Sequence, residues 1–170
     1  MIHADLIIPP IIIGLIIILI FRVNSFIMES SADNRLYTDV QTFAEVAATV
    51  IQEELRTLDH FVQVQQDSIR YVTTLRDTVS MTRNGRNIEI IRYDMINAGY
   101  DSVMVPASLS GIQFTLEPQA AAVPTFLRVR VETESEPGQH VRFRNDVQTV
   151  RAFSERRFFL RNIAVSANSN

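Results

Sequence analysis

Asp5 and Arg22 are the only charged residues in a largely apolar N-terminal segment, residues 1–28. Asp5 stands immediately before sixteen uncharged residues, Leu6 to Phe21. A carboxylate is costly in hydrocarbon unless it is paired, so such residues are functional candidates by default. Because the chain contains no lysine, the nearest candidate cation for Asp5 is a free α-amino group at residue 1, its own or a neighbouring copy's. Asp5 is therefore a candidate ion-pairing residue, with the alternative that it only marks the water-side end of a membrane helix.

Side chains suited to catalysis or metal binding are sparse. Asp94, Asp101 and Glu117 could chelate calcium, but they lack the spacing of an EF-hand, and solvated loop carboxylates are the favoured interpretation. Glycine-rich phosphate loops and nucleophile motifs are missing from the sequence. None of the three histidines stands at metal-ligand spacing from another; they are His3, His60 and His140. We therefore expect no enzyme activity, no metal and no cofactor.

The missing residue types restrict how copies of the chain can be joined. There is no cysteine, and all 16 basic residues are arginine. Disulfides and cysteine-based metal sites are thus excluded, as are isopeptide links and Schiff bases on lysine. If the protein polymerises, it does so non-covalently. The net charge of -3, with dispersed arginines, also offers no basic stripe for nucleic acid.

Twenty of the first 28 residues are apolar. Helical residues rise about 1.5 Å each, so Leu6 to Phe21 covers about 24 Å, short of a hydrocarbon core of about 30 Å. The segment spans a bilayer only if Arg22 snorkels and the helix continues to Met28. A cleaved signal peptide fits poorly, because no lysine or arginine precedes the run and no small-residue cleavage site follows it. We expect the segment to be retained.

One long helix is predicted for the first 58 or so residues, ending near Asp59. Pro9 and Pro10 lack an N–H and crowd the preceding turn, so the helix either starts there or is locally broken. The later half is amphipathic. Its predicted buried stripe is Leu36, Val40, Phe43, Ala47, Val50 and Ile51. We assign residues 1–28 to a hydrophobic stalk, 29–60 to its amphipathic continuation and 61–170 to a globular β domain.

Beyond the helix the apolar period changes from 3.6 to 2, which predicts antiparallel strands. Strands are expected at residues 69–72 and 77–81, before an Asn84-Gly85 turn that signals a hairpin. A two-residue loop there pairs Met81 with Ile88, Val79 with Ile90 and Asp77 with Arg92. Residues 95–124, interrupted by prolines and glycines, are predicted to be mostly loop, with a short strand at 112–116.

Alternating charges predict a second hairpin, between residues 125–136 and a strand beginning at Val141. Its register follows from placing opposite charges across the two strands. The predicted pairs are Glu134 with Arg142, Glu132 with Arg144, Arg130 with Asp146, Thr133 with Phe143, and Val129 with Val147. A last strand is expected at 157–165. The whole is an α+β arrangement, a long helix packed against an antiparallel sheet.

The N-terminal residues resemble those of type IV pilins and their pseudopilin relatives. Mature pilins carry an acidic residue at position five, leucine after it, an unbroken apolar run and often glycine at position fourteen. Asp5, Leu6 and Gly14 match these places if Met1 begins the mature chain, and the predicted architecture also matches. The resemblance implies an assembly site along this helix. Its residues are Met1, Asp5, Leu6, Pro9, Pro10, Gly14 and Phe21.

The resemblance further implies a filament subunit that is held in the inner membrane and then assembled by pilus machinery into an extracellular homopolymer. Apolar helices would bundle, with Asp5 neutralising the amine of Met1 on an adjacent subunit, and with Gly14 and the prolines permitting local extension. Two alternatives remain open. The chain is a minor pseudopilin of a secretion system, or a single-pass membrane-anchored envelope protein with a ligand-binding β domain. Arg22, on the domain side of the helix, opposes the latter orientation under the positive-inside rule.

Overall fold

The computed structural model describes residues 4–96, 98–118, 124–143 and 146–160, and for residues 4–8, 142, 143 and 146 only the backbone. The chain divides into two compact units, Met1–Leu36 and Tyr37–Asn170. Within the described residues one long helix is followed by ten strands. They are α1 Ala4–Leu55, β1 Leu58–Val64, β2 Ser68–Thr73, β3 Thr78–Asn84, β4 Asn87–Asp94, β5 Gly99–Pro106, β6 Leu109–Glu117, β7 Phe126–Glu134, β8 Val141–Phe143, β9 Asp146–Gln148 and β10 Arg151–Phe159.

The helix α1 is 52 residues long and is continuous through Pro9 and Pro10. Within the described residues, which begin at Ala4, the two prolines lie in the second turn of the helix. Proline carries no N–H, so the carbonyls of Asp5 and Leu6 receive no helical bond from residues 9 and 10. The helix ends at Leu55, four residues before the predicted end, because the chain enters β1 at Leu58.

The described residues of the second unit form three antiparallel sheets. Strands β1 to β5 form a meander in chain order, β6 and β10 flank β7, and β8 pairs with β9. Together with the helix this confirms the predicted α+β fold. The regions predicted at 69–72 and 77–81 are β2 and β3. Residues 95–124, predicted to be mostly loop, instead hold β5 and β6, since Gly99 and Pro106 stand at strand ends where they do not interrupt the ladder.

The hydrophobic core lies between one face of α1 and the inner faces of the larger sheets. Val40, Ala47 and Ile51 of the predicted stripe are buried, whereas Phe43 is 42% exposed. Ala44, Ala48 and Leu55 complete the buried face. Their partners include Phe61, Ile69, Tyr71, Val79, Met81, Ile88, Leu127, Val129 and Val131. Half of the six buried helix side chains are alanines, so much of this face is covered by small side chains.

The hairpin after β3 is confirmed in place but not in register. Asn84 pairs with Asn87 and Met81 with Ile90, so the two-residue loop is Gly85-Arg86. Gly85 takes φ +61°, a conformation that glycine adopts without a steric penalty. The register is shifted by two residues from the predicted one, which leaves Met81 and Ile90 on the core face.

The predicted pairing of β7 with the strand at Val141 is wrong. Strand β7 pairs along all nine residues with β10, from Glu134 opposite Arg151 to Phe126 opposite Phe159. Buried Ser135 explains why β7 pairs with β10, because its N–H donates to the Val150 carbonyl (2.9 Å) and its Oγ accepts from the Val150 N–H (3.3 Å). These bonds bring the end of β7 directly to the start of β10. The last strand accordingly starts at Arg151, six residues before the predicted start; residues 161–165 lie outside the described part.

Candidate functional site

The first unit is a helix whose apolar side chains face outward on all sides. From Ile11 to Met28 every large apolar side chain is between 46% and 71% exposed. The most apolar 18-residue window of the helix has a mean hydropathy of 2.6, and none of it is buried within the chain. A helix that is apolar all round is stable only in a protein interior or in a membrane. Residues 11–28 therefore need a non-aqueous environment that the chain itself does not provide.

Continuity of α1 removes the shortfall in length that the sequence indicated. From Leu6 to Met28 the helix runs unbroken for about 23 residues, or about 34 Å, which exceeds a hydrocarbon core of about 30 Å. Arg22 lies inside this length and is exposed. Its long side chain can reach the interface at the Glu29 end by snorkelling. The helix is thus long and apolar enough to anchor the chain in a membrane.

The predicted assembly residues fall into three groups in the structure. Met1 lies outside the described residues. Asp5 and Leu6 lie within α1, and their side chains are outside the described part. Pro9, Pro10, Gly14 and Phe21 are helical, and the side chain of Phe21 is exposed.

Three of these residues share one helix face. At 100° per residue, Pro10, Gly14 and Phe21 lie within about 40° of one another, spread over about 17 Å of axis. Ile17 and Met28 extend the same face, which we call the Gly14 face. A Cβ added at Gly14 would meet no atom within 4 Å. Among the described residues no side chain therefore requires glycine at this position.

Asn24 and Ser25 are functional candidates that the sequence reasoning missed. Both are exposed within the apolar segment, and Asn24 falls near the Gly14 face at helical periodicity. A polar side chain in an apolar environment seeks a hydrogen-bond partner, and between membrane helices such bonds contribute about 1 kcal/mol. The available signal was their position among apolar residues, in the same way that Asp5 stood out.

In the second unit, hydrogen bonds and ion pairs fix the helix on the sheets. Thr133 Oγ1 donates to the Val40 carbonyl at 2.9 Å, and the Tyr71 hydroxyl donates to the Glu54 carbonyl at 3.0 Å. Arg92 forms an ion pair with Glu54 at 2.9 Å. Burial of the Tyr71 hydroxyl raises the pKa of Tyr71 above its usual range. Farther along the helix, Arg156 pairs with Glu45 at 2.6 Å.

The carboxylates considered for calcium do not form a site. Asp94 and Glu117 end strands β4 and β6, and Asp101 lies within β5, so none is a loop residue as predicted. Glu117 binds two arginines, Arg128 at 3.3 Å and Arg157. In the part of the chain that the structure describes, no three His, Asp or Glu side chains gather as metal ligands. His60 instead contacts Asp59, with 2.9 Å between Nδ1 and Oδ2.

No protein-family model, curated protein or solved structure matches the chain.

Proposed function

We propose that the protein is a structural subunit of a type IV pilus-like extracellular filament, held in the membrane by its apolar helix before assembly. The observation that carries the proposal is the exposure of every large apolar side chain from Ile11 to Met28 on a helix joined to a unit with its own closed core. A soluble monomer with this surface would aggregate, whereas a filament subunit buries it twice, first in lipid and then among neighbouring copies.

A bundle of helices would keep this apolar surface out of water without covalent links. Apolar area removed from water contributes roughly 25 cal/mol per Å², or about 1.5–3 kcal/mol for each fully buried Ile, Leu or Phe. Lipid removes water from the same surface, so packing and polar pairing must favour the bundle over the bilayer. The Gly14 face suits close helix approach, since a glycine without a Cβ contact lets another backbone come near.

Asp5 has the role of setting register in this proposal. A carboxylate left unpaired inside a bundle costs several kcal/mol, so helices stack where Asp5 meets a cation. The N-terminal amine of a neighbouring subunit is that cation by resemblance to pilins. Removal of the carboxylate should then prevent ordered assembly and leave the second unit folded.

The test is electron microscopy of filaments sheared from cells that produce the full chain, wild type or Asp5→Ala. Asp39→Ala, which removes an exposed carboxylate from the same helix, is the matched control. We expect filaments from wild type and Asp39→Ala and none from Asp5→Ala. Wild-type filament yield from Asp5→Ala would remove the role of Asp5, and the absence of filaments from wild type would refute the filament itself.

Mass spectrometry of the mature N-terminus tests the resemblance independently. A trimmed leader and one methyl group on residue 1 are the expected products of pilin processing. An N-terminus that is formylated or cut within residues 20–30 would contradict it. The number of copies per cell separates a pilin from a minor pseudopilin, since only the former accumulates as the bulk of the filament.

A single-pass membrane protein with an external β domain is the second candidate. The length of the apolar helix from Leu6 to Met28, about 34 Å, favours it because that length spans a bilayer without any polymer. Chemical crosslinking in membranes separates the two candidates. A monomeric chain that stays in the membrane fraction under conditions of filament production supports the anchor.

A further inference from the structure

The second unit exposes an apolar projection at one of its ends. Ile96 is 84% exposed and Tyr100 is 79% exposed, and Met95 beside them is also exposed. These three residues stand at the β4–β5 connection and at the start of edge strand β5, and we call them the knob. Such neighbouring apolar side chains mark a contact surface on a folded domain.

An open groove lies between α1 and the start of β10, within the same unit. Its volume is about 680 Å³, in the range of pockets that accommodate several side chains. The apolar part of its lining is Tyr37, Val46, Ala152 and Phe153. Phe153 is held in place by Arg130, whose guanidinium carbon lies 4.8 Å from the ring centre. The groove is therefore a prepared apolar surface with a polar rim.

The knob and the groove lie at opposite ends of the helical part of this unit. The knob follows Arg92, which binds Glu54 in the last turn of α1, and Tyr93, whose ring centre lies 4.7 Å from that of Tyr100. The groove is beside Val40, since Thr133 bonds the Val40 carbonyl and pairs with Ala152. Val40 and Glu54 are about 21 Å apart along the helix axis. One chain cannot bring its own knob into its own groove.

An exposed charged side chain lies at each of the two surfaces, and the two are of opposite sign. Asp101 is exposed beside the knob on β5. Arg151 lines the groove with 73% of its side chain exposed, and its pairing with Glu134 is long, at 3.7 Å. Glu45, the carboxylate in the groove lining, is already neutralised by Arg156 at 2.6 Å. An approaching carboxylate can therefore share the exposed guanidinium of Arg151 with Glu134.

We propose that the knob of one copy of this chain docks into the groove of the next copy, with Ile96 against Phe153 and Val46 and with Asp101 facing Arg151. Because the two surfaces are different and lie at opposite ends, the contact is heterologous, and its repetition forms an open chain of subunits. The inference rests on the proposed filament function and deepens it, since it adds a lateral contact between β domains to the bundling of helices. It predicts that specificity of subunit addition resides in the second unit.

The test uses the absence of natural cysteine, which makes introduced thiols the only ones in the protein. The full chain carries Met95→Cys beside Ile96 and Thr42→Cys on the groove rim, and it is treated with a short bismaleimide in sheared filaments and in detergent micelles. The matched control carries Ser80→Cys, away from the knob on β3, in place of Met95→Cys. We expect a ladder of dimers, trimers and higher species from the first chain only. Adding Ile96→Asp should lower that ladder at least about tenfold, and unchanged thermal unfolding would show that the fold is kept.

Electron microscopy of the same samples separates the two proposals. Filaments that give the ladder, together with loss of the ladder in the Ile96→Asp chain, support both the filament and the knob-and-groove contact. Filaments that give no ladder would overturn the knob-and-groove contact and leave the filament proposal standing. The same conclusion would follow if the Ser80→Cys control gave an equally strong ladder. A ladder in micelles from cells without filaments supports the contact and counts against the filament. Absence of both overturns both.

Discussion

Substitution of Gly14 distinguishes a role in assembly from a role in the single chain. A Cβ at position 14 meets nothing within 4 Å, so Gly14→Ala introduces no clash within one chain. Alanine is a better helix former than glycine by about 0.5–1 kcal/mol, and the isolated helix should therefore become more stable. Far-UV circular dichroism of the full chain in micelles should show equal or higher helicity during heating.

The effect on the polymer should be of opposite sign. If neighbouring helices approach along the Gly14 face, a larger side chain overpacks the contact, at a cost of about 1–3 kcal/mol for Gly14→Leu. Since 1.4 kcal/mol is a factor of ten, the concentration needed for polymerisation should rise by about 5- to 150-fold. Sedimentation of filaments over a concentration series measures this value. Ile12→Leu, which conserves volume on the opposite face, is the matched control and should polymerise as wild type.

The result that refutes the reasoning is a Gly14→Leu chain that polymerises at the wild-type concentration. Gly14 would then be a backbone feature of one chain, and the Gly14 face would not be a contact. Reduced helicity of Gly14→Ala in micelles would also contradict the argument, because it would show that glycine is required by the single chain.

Three further predictions concern the anchor and the core. Ile16→Asp should reduce resistance to carbonate extraction, since a carboxylate near the middle of a membrane helix costs about 3 kcal/mol; Ile16→Leu is the control, and a wild-type chain that carbonate extracts from the membrane would exclude a spanning helix. Ile51→Ala, at a fully buried position, should lower the free energy of unfolding of the second unit by about 2–5 kcal/mol in denaturant titration, and a loss below about 1 kcal/mol would mean that α1 is not packed on the sheets. Burial raises the pKa of Tyr71, so the folded state keeps the proton that the unfolded state loses above about pH 10, and the free energy of unfolding should fall as pH rises beyond that value. Tyr71→Phe should lose less stability than wild type between pH 9 and about pH 11. Identical pH profiles for the two chains would show that Tyr71 is not the cause of the pH dependence.

Local signals were sufficient for the helix and for the first hairpin. The change of period from 3.6 to 2 marks the end of α1 to within a few residues, because side-chain periodicity follows directly from backbone geometry. The predicted register of the hairpin was wrong by two residues, because the two possible loops, Asn84-Gly85 and Gly85-Arg86, each contain a glycine that can adopt φ > 0. Both registers place Met81 and Ile90 on the same face of the sheet, so the alternation of apolar residues does not distinguish the two loops.

Pairing between distant strands needed information that no local pattern contains. Glu134 would find an opposite charge on Arg142 as readily as it finds one on Arg151 of β10, because each exposed pair contributes only about 0.2–1 kcal/mol. What decides is the longer ladder of β10 with β7 and the bonds of buried Ser135 to Val150. Charge patterning selects a register once the partner is known, and it does not select the partner.

The two candidate interfaces differ in the same way. The composition of the apolar helix is enough to predict its environment. Eighteen residues without a polar face cannot be solvated, whichever way the rest of the chain folds. The knob and the groove have ordinary composition, and Ile96 and Phe153 become notable only when folding leaves them exposed at opposite ends of one unit. An anchor can therefore be recognised from sequence, whereas the surface that would order neighbouring subunits is created by the fold. For that reason Ile96→Asp is the more informative change: it alters no predicted element and no core contact, so any loss of polymer must come from the contact between copies.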